Sequence, residues 1–214
     1  KQPCMRSPKI PIEAFGLLSV VIPAYNEENR LPATLKEIIS YLGQGNTDYE
    51  IIIVDDGSTD NTQLKLEEIG SNNSRIRILQ NTKNKGKGFS VKKGVLAAQG
   101  EYILFCDADG STPISELDKL LEKLRAGYDI AIGSRGLKES QIRVRQPFYR
   151  EYMGKIFNGL ARLLTVPGIA DTQCGFKCFK RDVARELFAL QKIKRFSFDV
   201  EILYLAQKGG YKIA

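Results

Sequence analysis

The feature that most constrains this chain is a rhythm. Short runs rich in Val and Ile alternate with amphipathic stretches from residue 17 to about residue 136. The runs are Leu17–Pro23, Ile51–Asp55, Ile76–Leu79, Tyr102–Asp107 and Asp129–Gly133, each bounded by Gly, Asn, Asp or Pro. That is the pattern of buried parallel strands. Between them, Leu31, Leu35, Ile38, Ile39 and Leu42 recur at helical spacing, as do Leu117, Leu120, Leu121 and Leu124. Thr59-Asp60 before Asn61–Gly70, and Ser111-Thr112-Pro113 before the next helix, read as N-caps with Pro near the first turn. Strand–helix alternation predicts an α/β domain with a mostly parallel central sheet and helices on both faces. Ligands in such sheets bind beyond the strand carboxyl ends.

The rhythm stops after residue 136. Residues 137–150 are polar and basic (Lys138, Arg143, Arg145, Arg150), which suits a loop near the ligand. From Tyr149 to Leu164 a helical pattern puts Tyr149, Met153, Ile156, Phe157, Leu160, Leu163 and Leu164 on one face, flanked by Arg150, Lys155 and Arg162. Such a helix either packs on the sheet or rests on an anionic membrane. A Pro167-Gly168 break, a Cys/Gly/Phe segment and helical stretches near 181–191 and 199–208 follow. Lys212-Ile213-Ala214 reads as the start of another strand, as at a truncated C-terminus. The expected division is an extension over 1–16 and one domain over 17–214. Its nucleotide-sugar half covers about 17–136 and its acceptor-side half about 137–214.

Composition narrows the chemistry. The 214 residues contain no His, which excludes His triads, His zinc sites and imidazole acid–base catalysis. Four cysteines are too few for a disulfide scaffold, so a reducing compartment is expected. Cys106 reads as a small buried hydrophobe, and Cys174 and Cys178 lack the partners of a zinc site. The Lys1–Pro11 segment lacks the apolar stretch of a signal peptide, and no run spans a bilayer. The net charge of +7 suits nucleic acid, an anionic membrane or phosphorylated substrates. Nucleic acid is disfavoured: no RNA-binding or helix-turn-helix signature occurs, and the positive charge surrounds an acidic centre.

That centre is Asp107-Ala108-Asp109, where a buried strand runs into a loop. Two carboxylates so close repel each other and lose solvation. A divalent cation, Mg²⁺ or Mn²⁺, removes both problems and keeps positions open for diphosphate oxygens. The plainer reading is a turn or helix cap before Gly110-Ser111-Thr112. Ile51–Asp60 repeats the pattern, a buried strand ending in Asp55-Asp56-Gly57. Its acids could accept hydrogen bonds from a base or ribose, or Asp56 and Asp60 could merely shape the turn. In Pro23-Ala24-Tyr25-Asn26-Glu27-Glu28, Tyr25 could stack on a base and Glu27 contact it. Lys83, Lys85, Lys87, Lys92 and Lys93 surround Gly86 and Gly88 at a helix start, a place suited to phosphate. For Lys92 and Lys93 a solvated basic face is the simpler reading.

In this order, the pieces resemble the inverting GT-A glycosyltransferases of family 2, and within them the dolichyl-phosphate sugar synthases, the glucosyl group most of all. The resemblance runs over about residues 17–214. It rests on Ser19–Glu28, Val54–Ser58, Asn84–Gly88, Asp107–Gly110, Gly133–Arg135, Asp171–Lys177 and Phe198–Glu201. It implies a GT-A fold with a Rossmann-like N-terminal half. It implies that Pro23, Tyr25, Glu27, Val54 and Asp56 hold the base and ribose, with Lys87 in the nucleotide site. Asp107 and Asp109 would hold the metal and donor diphosphate, with Ser111 assisting. Arg135 and Arg150 would meet acceptor or donor phosphates. Asp171 reads either as a supporting carboxylate or as a structural Asp that anchors the following turn. The implied reaction moves a hexose, glucose from UDP-glucose, onto a polyprenyl or dolichyl phosphate to give a β-linked product. GDP-mannose as donor, or a polysaccharide hydroxyl as acceptor, are the alternatives. The implied place is the cytosolic face of a membrane, endoplasmic reticulum in a eukaryote or plasma membrane in a prokaryote. The family's eukaryotic glucosyl enzymes carry an N-terminal membrane anchor, so this chain is expected either to have lost one or to be peripheral.

Overall fold

A computed structural model describes residues 16–45, 47–71, 73–133, 169 and 171–214. The strands are β1 (Leu18–Ala24), β2 (Tyr49–Asp55), β3 (Ile76–Gln80), β4 (Tyr102–Cys106), β5 (Ile130–Ile132) and β6 (Phe176–Lys180). The helices are α1 (Leu31–Leu42), α2 (Thr62–Ser71), α3 (Lys87–Ala97), α4 (Leu117–Arg125), α5 (Arg181–Leu190) and α6 (Phe198–Lys208). The strands form one six-stranded sheet in the order β3-β2-β1-β4-β6-β5. β1, β2, β3 and β4 run parallel, and β6 runs antiparallel to both of its neighbours.

The expected strands and helices within the described residues are present, displaced by a residue or two at their ends. β6 was not expected. Its sequence, Phe-Lys-Cys-Phe-Lys, is not a continuous apolar run, because Lys177 interrupts it. Lys177 is nevertheless buried. Its cost is offset by an ion pair with Asp199, described below.

Each face of the sheet has its own apolar core. On one, Leu18, Val20 and Ile22 of β1 pack with Leu31, Leu35 and Ile38 of α1, Leu66 of α2 and Leu117, Leu121 and Leu124 of α4. On the other, Val21, Ile52 and Val54 pack with Val91 and Val95 of α3, Val183 and Leu187 of α5, and Ile202 of α6. Fully burying such a side chain is worth about 1.5–3 kcal/mol, so the two layers fix the sheet and aim its ends. Asp60 does act at the start of α2: its Oδ1 accepts the Thr62 N–H at 3.0 Å. Ser111 and Thr112 do not cap the next helix. A 3₁₀ turn over Ile114–Glu116, without a side-chain cap, leads into α4. Beyond β5, Ile213 bridges Ile130 in parallel, so the last residues lie along that edge of the sheet.

Candidate active site at the strand carboxyl ends

The carboxyl ends of β1 to β4 share one edge of the sheet, and most of the sequence-predicted residues meet there. Asp107 follows β4. Its backbone N–H donates to the Gly175 carbonyl at 3.0 Å, so the turn before β6 is tied to the acidic loop. The approach is close enough that a Cβ at position 175 would lie 1.9 Å from Asp107 Oδ2. Any side chain there would have to displace the Asp107 carboxylate. Asp109 accepts the Ser111 backbone N–H at 2.9 Å, and the Ala108 carbonyl accepts from the Thr34 hydroxyl at 2.9 Å. These bonds hold Asp107 and Asp109 in one rigid loop.

Among the described residues, one cation faces them. Lys87, at the first turn of α3, brings Nζ to 2.7 Å from Asp107 Oδ1, with the two side chains 26% and 30% exposed. Burial raises the Asp107 carboxyl above its ordinary pKa against the pull of Lys87, and Asp109 and Asp199 push the same way. Burial works to lower the Lys87 ammonium, but Asp107, Asp199 and Asp109 outweigh it and its pKa rises. Glu27 joins the same field. Burial raises its pKa despite Arg30, and Asp109 and Asp107 add to the rise. Its carboxylate is clasped by Arg30 through bonds of 2.6 and 2.7 Å. Tyr25 is exposed and Pro23 half-buried at the end of β1.

The second acidic pair has a different fate. Asp56 is buried, and its carboxylate accepts Asn81 Nδ2 at 2.8 Å, the Lys85 N–H at 2.9 Å and the Gly86 N–H at 2.8 Å. It shapes the loop that starts α3. Gly86 itself has φ +102°, a conformation that favours glycine. Asp55 Oδ1 accepts the Ser58 N–H and hydroxyl at 3.1 and 2.5 Å. Val54 has its side chain wholly buried under α3, so it can face the site only through its backbone. Lys92 and Lys93 also differ from a solvated face. Lys92 donates to the Ala189 and Gln191 carbonyls, and Lys93 to Gln80 O and Asn81 Oδ1. Asp171 is buried and its Oδ1 accepts the Gln173 N–H at 3.2 Å, in the turn that delivers Gly175. Arg135, Arg150, the loop over 137–150 and the helix expected from Tyr149 to Leu164 lie outside the described residues.

The sequence reading assigned no role to the buried pair behind this site. Lys177 Nζ lies 2.6 Å from Asp199 Oδ1 and also donates to the Cys174 carbonyl. Lys177 and Lys87 both stand over the Phe105 ring, at 5.9 and 5.4 Å from its centroid, and Phe198 meets that ring edge-on at 5.8 Å. The usable signal was a lysine inside an otherwise apolar Phe-Lys-Cys-Phe run, which demands an acid partner.

Among the described residues no group of three or more acidic or sulfur ligands could hold a metal ion. Asp107 and Asp109 are two hard carboxylates in one loop at a strand end. They fit a divalent cation that takes its remaining ligands from phosphate oxygens and water, rather than a closed structural site.

The mostly parallel sheet and the acidic pair at the end of β4 define an α/β domain with its candidate site at the strand carboxyl ends. Residues 19–188 match the profile of Glycosyl transferase family 2, and the chain belongs to that family. It is 42% identical to a dolichyl-phosphate beta-glucosyltransferase of Dictyostelium discoideum, over 99% of this chain and 68% of that protein. It is 39% identical to the human protein of that name, over 89% of this chain and 63% of that one. The chain thus spans about two thirds of the length of these relatives. Among solved structures, it resembles glucosyl-3-phosphoglycerate synthase from Mycobacterium tuberculosis in complex with Mn²⁺, UDP-glucose and phosphoglyceric acid. The TM-score is 0.64 at 23% identity, over 92% of this chain and 66% of that one. A mannosyltransferase from Pyrobaculum calidifontis with GDP-mannose and Mn²⁺ gives a TM-score of 0.58 at 17% identity, over 92% of this chain and 53% of that one. These likenesses establish the fold.

Proposed function

We propose that this chain carries the donor site of an inverting transferase that moves glucose from UDP-glucose onto dolichyl or another polyprenyl phosphate. The observation that carries the reading is the Asp107–Asp109 loop opposed by Lys87 at the end of β4, in a chain 42% identical to a dolichyl-phosphate beta-glucosyltransferase. Asp107 and Asp109 would hold Mg²⁺ or Mn²⁺, which when bound neutralises a leaving diphosphate. Tyr25 and Glu27 line the edge where the base would lie, and Lys87 is placed to meet donor phosphate. Asp56 acts through the Lys85-Gly86 loop it holds.

The acceptor chemistry follows from charge. A phosphate monoester has a second pKa of about 6 and is a dianion at neutral pH. It needs no general base. Its oxygen forms the new bond to the anomeric carbon as the bond from that carbon to the diphosphate breaks, and attack from the opposite side turns an α-linked donor into a β-linked product. A sugar hydroxyl acceptor would need a carboxylate base. Asp171→Asn separates the two: turnover persists with a phosphate acceptor and is lost with a hydroxyl acceptor. The reading places the enzyme at the cytosolic face of a membrane, endoplasmic reticulum in a eukaryote. No helix among the described residues is long and apolar enough to cross one.

Calorimetric binding of UDP and GDP, with and without Mn²⁺, tests the donor site. Metal-dependent UDP binding, lost in Asp109→Asn, supports it. A preference for GDP moves the donor to GDP-mannose. Absence of binding by the folded chain overturns the donor site.

A further inference from the structure

Between α5 and α6 the chain makes a loop with an unusual surface. Leu190, Ile193 and Phe196 are 56%, 39% and 77% exposed, and Lys192, Lys194 and Arg195 are exposed between them. No ion pair among the described residues engages these three cations. Apolar side chains on a surface loop are usually scattered singly; here three share one short segment with three positive charges.

The loop is built, not slack. The Glu201 carboxylate accepts the Lys192 and Ile193 N–H groups at 2.9 and 2.8 Å. The Lys194 carbonyl accepts the Phe89 N–H at 2.8 Å, and Gln191 Nε2 donates to the Gly88 and Ile193 carbonyls. Ser197 takes the left-handed conformation, φ 74°, and its carbonyl accepts from Val200 and Glu201. With the backbone pinned, the exposed side chains cannot fold back into the core.

Its position follows from the topology. β6 runs antiparallel to β4, so α5 returns the chain to the edge where β1 to β4 end. The contacts agree: a Cβ on Gly86 would meet Arg195 Cγ at 2.7 Å and the Lys194 carbonyl at 2.6 Å, and Gly86 directly precedes Lys87. The loop therefore stands beside the acidic site on the same edge.

We infer that residues 190–196 form a docking surface for an anionic lipid bilayer, with Phe196 and Ile193 entering the headgroup boundary and Lys192, Lys194 and Arg195 meeting lipid phosphates. Apolar tips with flanking cations are the combination that such a surface binds. Docked so, the edge carrying Asp107 would face the layer in which a lipid phosphate resides. The inference deepens the proposed function and rests on it for that last step alone.

The test is flotation of the 214-residue chain with phosphatidylcholine vesicles, alone or containing phosphatidylserine, over a salt series. Binding should require the anionic lipid and weaken with salt. Each cation near such a surface strengthens binding about fivefold, so replacing Lys192, Lys194 and Arg195 together by Ala should weaken it on the order of a hundredfold. Phe196→Ser should weaken it about tenfold while leaving the salt dependence unchanged. Circular dichroism checks that each variant is folded. Equal binding to neutral vesicles, or anionic binding indifferent to both variants, overturns the surface. So does binding to a soluble polyanion with equal affinity and no dependence on Phe196. UDP–Mn²⁺ calorimetry on the same samples reports the donor site separately, so either reading can fail alone.

Discussion

Two strands of this sheet end in nearly the same words, Val54-Asp55-Asp56-Gly57 and Cys106-Asp107-Ala108-Asp109-Gly110, and the fold gives them opposite roles. At the end of β2, Asp56 is closed off by three donors from Asn81, Lys85 and Gly86. At the end of β4, among the described residues, Asp107 has one cation beside it, Lys87, and like charges around it. The first carboxylate is a structural acceptor whose partners are rigid amides. The second is held in place by its backbone beside Gly175, and its partner is a side-chain ammonium.

The sharpest way to break the comparison is to neutralise one acid at each end. Asp109→Asn should lower Mn²⁺-dependent UDP affinity by a hundredfold or more, about 3 kcal/mol, while the melting temperature moves by no more than about 2 °C. Calorimetry and a thermal melt check both halves. Asp56→Ala should do the reverse: three donors are stranded at about 1–3 kcal/mol each before relaxation. A net loss near 3 kcal/mol would lower the melting temperature by about 6–12 °C. If Asp56→Ala melts normally, the contrast is wrong.

Gly175→Ala sharpens the geometric half of the contrast. A Cβ 1.9 Å from Asp107 Oδ2 must displace that carboxylate, at a cost of about 1–3 kcal/mol in stability. Metal-dependent nucleotide binding should fall with it, measured on the same samples.

The smallest expected effect tests whether Lys87 is movable. Lys87→Met removes the competitor at Asp107, so Mn²⁺ affinity without nucleotide should rise a few-fold by electron paramagnetic resonance. UDP affinity at saturating Mn²⁺ should fall about tenfold. Because the Asp107 pKa is raised, protons compete with the metal at a higher pH than at an ordinary carboxylate of about 4. On acidification, Mn²⁺ binding should therefore begin to fall above that range. The same shift has a stability sign: the protonated carboxyl is favoured in the folded state. The contribution of Asp107 is fully present below the unfolded pKa and lost as pH rises through the folded one.

Much of this was legible along the chain. Apolar periodicity places β1 to β5 and the helices around them, because each strand must be apolar on both faces to lie between two helical layers. Placing Asp107 and Asp109 at a strand end needs only that β4 is a strand. β6 escaped because periodicity cannot see that Lys177 is paired: Asp199 lies 22 residues further on. Val54 and Asp56 lie in a motif that reads as a ligand loop, and only packing under α3 and donors from the β3–α3 loop show where their side chains go.

By itself the sequence determined the α/β class, the edge on which ligands must bind and the identity of the acidic pair there. These are local properties, set by hydrophobic period and by charges that cannot be buried unpaired. The tertiary structure alone decided which acid is closed off by amide donors and which faces a lysine. It also set the antiparallel β6 beside β4 and brought the exposed loop 190–196 next to Gly86. Those depend on contacts between residues far apart in the chain, and no local pattern encodes a distance between side chains until the sheet and its two helical layers have formed.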